Sequence, residues 1–503
     1  MVTQPVTDPT LGIAVDVDRT GTPPHRLVAI GDSVTQGFAS GAVFQTTLSY
    51  PAIIAHELGW EGLHVPSYPG VGGIPLNIER LLRTLDERYG VRVDWWEVPQ
   101  ALFTLRQYMD EVEDYWERGP GSGHPVVAPP RHLLAVYGWD LRDALERTPD
   151  TELAAVRPPR DDLVNQLVSD HGARAALRVL PNATSAQRAG TVFDAAAALG
   201  AAGNLAHGVE TLVVALGSNN ALGAVTNLHV AWSGPGHDTL AGKPGYTVWR
   251  PEHFRAELAL VAEQVRRVRA RHVVWCTVPH VTIAPFARGI GAKPAGSRYF
   301  EHYARPWIAD DEFDPHRHRH LTGAEARDVD AAIDAYNDDI VAIVAAARTD
   351  GLDWYVCDVA TLLDRLAVRR YVEDPSARPD WWTPYELPPE LAALSPPPDV
   401  RFLTTTPDGR RATGGLFSLD GVHPTTVGYG LLAQELIGVM ERAGVEFHHA
   451  DGSLRPAPVR VDMARLIRRD TLLATPPRNV TSGLEILGWA DEVAGLFGAA
   501  LPF

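Results

Sequence analysis

Residues 27–38, LVAIGDSVTQGF, decide the reading of this chain. The apolar run Leu27-Val28-Ala29-Ile30 breaks at Gly31, and Ser33 follows at the head of a segment that can turn helical. A buried parallel strand delivers a side chain to the carboxyl edge of a sheet in this way, and open α/β sheets place their ligands there. The same residues serve equally well as an ordinary helix cap, because Asp32 and Ser33 are both good N-cap residues. The rest of the chain must therefore supply the partners that a reactive serine needs.

On either side of this stretch the pattern alternates between strand and helix. A helix is expected over 50–58, opened by Ser49 and Pro51 and closed by Gly59. A short second strand is expected around His64 and Val65, before the glycine-rich turn SYPGVGGIPLN at 67–77. Apolar runs predict three more strands: TLVVALG (211–217), HVVWCTVP (272–279) and DWYVCDVA (353–360). Between them, Phe254, Leu258, Val261, Val265 and Val268 form one stripe of a helix over 251–270. Thr322 and Glu325 form a capping box for a helix over 323–347, and a last helix follows Pro424 and ends at Gly444. The fold class is therefore α/β, with a five-stranded parallel sheet covered on both faces.

Residues 76–207 are mostly helical in pattern and far longer than a simple crossover needs. This predicts a helical insertion, or cap, between two halves of a core formed by 1–75 and 208–444. Within the core, 367–415 is Pro- and Trp-rich and reads as a lid-like loop; 445–503 reads as a C-terminal extension with one or two short helices.

Composition narrows the function classes. A net charge of −17 over 503 residues argues against general affinity for nucleic acid or anionic membranes, which need a basic face. Cys276 and Cys357 sit in apolar runs and read as buried, reduced thiols. No segment reaches the roughly 18 apolar residues of a membrane span, and the N-terminus has neither a basic start nor an apolar signal core, so a soluble, cytoplasmic protein is expected.

Three other places fall at strand ends. Gly70-Val71-Gly72-Gly73 reads either as a tight turn or as a site where the Gly73 N–H approaches a ligand oxygen. Asn219 either caps the next helix or presents its side-chain N–H to an oxyanion. In Asp420-Gly421-Val422-His423-Pro424, the proline fixes His423 on a loop just before a helix, and a carboxylate three residues earlier can fold back on the imidazole.

These four blocks, in this order, resemble those of the SGNH hydrolases, also called the GDSL esterase and lipase family. The match lies on Gly31-Asp32-Ser33, Gly73, Asn219 and the pair Asp420 and His423. Val34 replaces the leucine of the family name. Tyr68 and Asn220 stand where many members have asparagine and aspartate, which leaves Gly70 and Gly72 as alternatives to Gly73. The resemblance covers the core alone. It implies a flavodoxin-like three-layer α/β/α sandwich that hydrolyses esters, with Ser33 as nucleophile, His423 as base and acid, and Asp420 orienting the histidine. The oxyanion hole would be formed by the Ser33 and Gly73 N–H groups and the Asn219 side chain. No metal or organic cofactor is implied.

Other motifs read as structural. His316, His318 and His320 lack a completing ligand set and read as a solvated loop. Gly242-Lys243 is followed by proline where a phosphate loop requires Ser or Thr. The pairs Trp95-Trp96 and Trp381-Trp382 read as packing before substrate platforms. Among functions, a carboxylic ester hydrolase leads; an acyltransferase with the same residues and a carbohydrate O-acetyl esterase are the alternatives. Phe38, Val43, Phe44 and the loop 281–291 suggest a small-molecule ester with an apolar acyl group.

Overall fold

The computed structural model describes residues 4–159, 168–203 and 205–480, together with 483 and 488. Its central sheet contains β1 (His25–Gly31), β2 (Leu133–Ala135), β3 (Val209–Ala215), β4 (Ala270–Cys276) and β5 (Trp354–Cys357), in the spatial order 2-1-3-4-5. Every pairing is parallel. The helices that shape the site are α1 (Ser33–Gln36), α2 (Tyr50–Glu57), α3 (Val192–Gly200), α4 (Asn219–Asn227), α5 (Pro251–Arg266), α6 (Gly323–Thr349), α7 (Val359–Leu366) and α8 (Thr426–Ala443).

Strand side chains alternate between two cores. Val28, Ile30, Leu212, Val214, Val273 and Trp275 face α3, α5 and α6, whereas Leu27, Ala29, Val213, Val274 and Cys276 face α2 and α8. Both faces are thus covered, and near-continuous apolar runs are what two buried faces demand. The caps fall where the sequence puts them: Thr322 accepts from the Glu325 N–H at 3.2 Å, and Gly444 ends α8 with φ +84°. Helix α5 stops at Arg266, short of the expected 270, because Ala270 already begins β4. Cys276 and Cys357 are buried and unpaired.

The second strand corrects the sequence reading. His64 and Val65 form no strand; β2 is Leu133–Ala135, within the segment expected to be an insertion. Residue 64 instead runs beside the start of β2, its carbonyl accepting the His132 N–H at 2.9 Å. Helix α3 of the same segment packs on β1 and β2. Residues 76–207 therefore complete the core as well as adding to it. What they add includes the helices Ile78–Tyr89 and Val98–Glu117, which pack on each other. In the 367–415 stretch Trp382 is buried, its Nε1 donating to the Asp364 carbonyl at 2.9 Å, whereas Trp95 is 81% exposed. The described part of the tail contains two short helices, Met463–Arg469 and Thr471–Ala474. Among the described residues, no helix is long and apolar enough to cross a membrane.

At the amino ends of the strands, His132 is buried between His25 and His64. Its Nδ1 accepts the His64 N–H at 2.7 Å, and its Nε2 lies 2.9 Å from His25 Nδ1. Burial, followed by the charges of His25 and His64, lowers its pKa to about 3. The unfolded chain then binds a proton that the folded chain refuses, so stability falls as pH drops below the ordinary histidine value. Between pH 6.5 and 5 the parent is expected to lose about 1.5 kcal/mol more than His132→Asn, as measured by urea denaturation.

Candidate functional site

Ser33 is the first residue of α1, directly beyond β1. Gly31 permits that turn, because a Cβ there would collide with the Thr35 side chain and the Ala215 carbonyl oxygen. Asp32 caps α1, accepting the Val34 N–H at 3.0 Å. Burial raises the Asp32 carboxyl to about 6, against the opposing pull of that N–H and of His423. Gln36 ties the other end of α1 to the loop beyond β2, accepting the Tyr137 N–H at 2.9 Å.

His423 stands on a closed turn, its carbonyl accepting the Ser418 N–H at 2.8 Å. Helix α8 begins one residue later than the proline suggested, with Thr425 as its cap. Asp420 accepts four hydrogen bonds. Oδ1 takes the N–H groups of Val422 (2.9 Å) and His423 (2.8 Å); Oδ2 takes the Gly41 N–H (2.9 Å) and faces His423 Nδ1 at 3.0 Å. Burial alone would raise the Asp420 carboxyl, but His423 and these donors outweigh it and hold the pKa below the usual value. Asp420 thus fixes the imidazole with Nδ1 toward the carboxylate and leaves Nε2 free to face elsewhere.

Sequence reasoning missed the segment 38–41, which binds the Ser33 loop to the His423 turn. Besides the Gly41 N–H, the Ser40 N–H donates to Ser418 Oγ at 2.8 Å and Tyr429 OH donates to the Phe38 carbonyl at 2.6 Å. On the 38–41 side all three groups belong to the backbone and leave no signature in the sequence.

Ser33, Asn219 and His423 line one cavity of about 140 Å³. Three different loops converge there, at the carboxyl edge of the sheet, where chain order reverses between β1 and β3. Neither the Ser33 hydroxyl nor His423 Nε2 is hydrogen-bonded to another of the described residues. The rest of the wall is mostly apolar, with Leu222, Val281, Val400 and Leu431 among its members. No family model, curated protein or solved structure matches this chain.

The other expected residues divide. Asn219 Nδ2 donates one hydrogen to the Trp139 carbonyl at 2.8 Å, which leaves its second N–H available. The Trp139 loop is held in turn by the Asp140 cap, and Lys243 lies 3.2 Å from Asp140, a structural role for the Gly242-Lys243 pair. Gly73 is not in the cavity wall, and neither are Gly70 and Gly72. Gly73 has φ +90°, and a Cβ there would strike the Val43 carbonyl oxygen, which accounts for the glycine as a turn. Phe38, Val43 and Phe44 are absent from the wall too, although the Phe38 ring lies 4.5 Å from that of His423; Val281 and Ala284 of the 281–291 loop do form part of it.

Proposed function

We propose that this chain is a serine-dependent carboxylic ester hydrolase on a flavodoxin-like sandwich of the SGNH type. One observation carries the reading: Ser33, Asn219 and His423, brought from three separate loops, share a cavity, and a buried Asp420 holds the imidazole. A serine hydroxyl is a poor nucleophile until a base takes its proton. Ser33 Oγ attacks the ester carbonyl as His423 Nε2 accepts the proton, and Asp420 stabilises the imidazolium that forms. The Ser33 N–H and the second Asn219 N–H, neither of them hydrogen-bonded to another of the described residues, receive the oxyanion. His423 then protonates the departing alkoxide. Water, activated by the same imidazole, releases the acid and restores Ser33.

The apolar wall supports an acyl group with several carbons. Across a series of p-nitrophenyl esters from acetate upward, kcat/KM is expected to rise by about fourfold per added methylene until the cavity is filled, the equivalent of about 0.8 kcal/mol each. A flat or falling series would overturn the apolar acyl preference, and failure to hydrolyse any member would overturn the function.

A further inference from the structure

A second cavity, of about 290 Å³, adjoins the first. Val400 belongs to both walls, and the chain segments 281–285 and 366–370 pass from one to the other. Its wall includes five arginines, Arg288, Arg298, Arg369, Arg370 and Arg401, and no acidic residue. In a chain of net charge −17 this concentration is not a consequence of composition.

The five are not equivalent. Arg370 is paired with Asp330 at 2.8 Å, Arg288 with Asp310 at 2.6 Å, and Arg401 lies 3.1 Å from Asp399. Arg369 donates to the Gly289 carbonyl at 2.7 Å and lies 4.5 Å above the Phe300 ring, but it has no ion pair among the described residues. Arg298 is bonded only to Tyr371 OH, at 3.3 Å, among them. Burial, and then the charge of Arg288, push the Arg369 guanidinium below its ordinary pKa, against the opposing pull of the Asp310 and Glu373 carboxylates. Guanidinium groups present paired N–H donors that match carboxylate and phosphate oxygens.

We propose that this arginine-lined cavity binds an oxyanion group, carboxylate or phosphate, and that the group belongs to the ester substrate whose carbonyl lies at Ser33. The second clause rests on the hydrolase reading; the first does not. An ester with an apolar segment between its carbonyl and a terminal anion would span the shared Val400 wall.

Two measurements separate the clauses. Calorimetric titration of Ser33→Ala protein with inorganic phosphate and with glutarate is expected to show saturable binding of at least one anion, weakened at least tenfold when Arg369→Met or Arg298→Met is added and partly restored by Arg369→Lys. Mono-p-nitrophenyl esters of glutaric to suberic acid are then compared with their methyl-capped, neutral counterparts. At least one hemiester is expected to exceed its capped counterpart about tenfold in kcat/KM, and that ratio should fall towards one in the methionine variants. No anion binding by calorimetry overturns the site. Binding without any hemiester preference overturns its link to the substrate. If no ester of either kind is cleaved, the hydrolase reading falls, and calorimetry alone still decides whether the oxyanion site exists.

Discussion

Ser33→Ala is expected to lower kcat/KM for p-nitrophenyl butyrate at least about a thousandfold, with the melting temperature nearly unchanged. The two halves of this result have separate causes. The hydroxyl makes no hydrogen bond to another of the described residues, so its removal leaves no buried donor or acceptor unsatisfied. Activity, by contrast, requires a bond that only that oxygen can form. A variant that hydrolyses as fast as the parent would remove Ser33 from the chemistry altogether.

Asp420→Asn is expected to damage both activity and stability. An amide in place of the carboxylate turns one oxygen into a donor, which then faces the Gly41 N–H and His423 Nδ1. The imidazole loses the partner that fixes its tautomer, and kcat should fall by about a hundredfold to ten-thousandfold. The clash of donors should cost about 2 kcal/mol or more in chemical denaturation. Because the Asp420 pKa is lowered on folding, its stabilising contribution is present above the ordinary aspartate pKa and is lost only as pH falls through the folded value. Asp420 itself therefore adds no pH dependence to stability between pH 5 and pH 8.

Much of the fold is legible in the sequence, and the reasons are local. Strands β3 and β4 announce themselves because two buried faces require unbroken apolar runs, and α6 and α8 because Thr322, Glu325 and Gly444 are caps with distinct chemistry. Strand β2 is only three residues long and sits among helical text, so periodicity cannot find it. Ser33, Asn219, Asp420 and His423 stand out in the sequence because side chains would carry the roles proposed for them. Gly41 is not, since its contribution is a backbone N–H that any residue possesses. Gly73 misleads for a related reason. A glycine required by positive φ and a close carbonyl looks the same in sequence as a glycine that makes room for a ligand.

The arginine cavity was equally hidden. Its five residues lie between positions 288 and 401 and become neighbours only when the 281–291 loop, the segment around Arg298 and the 367–415 stretch pack together. Val400, from the 367–415 stretch, lines both cavities.

The central claim, that Ser33 is activated by His423, is tested most directly by a fluorophosphonate that reacts only with activated serines. Peptide mapping of the labelled protein should place a single phosphonyl group on Ser33, formed far more slowly in His423→Ala. Labelling of another residue, or labelling of Ser33 at the same rate without the histidine, would contradict it.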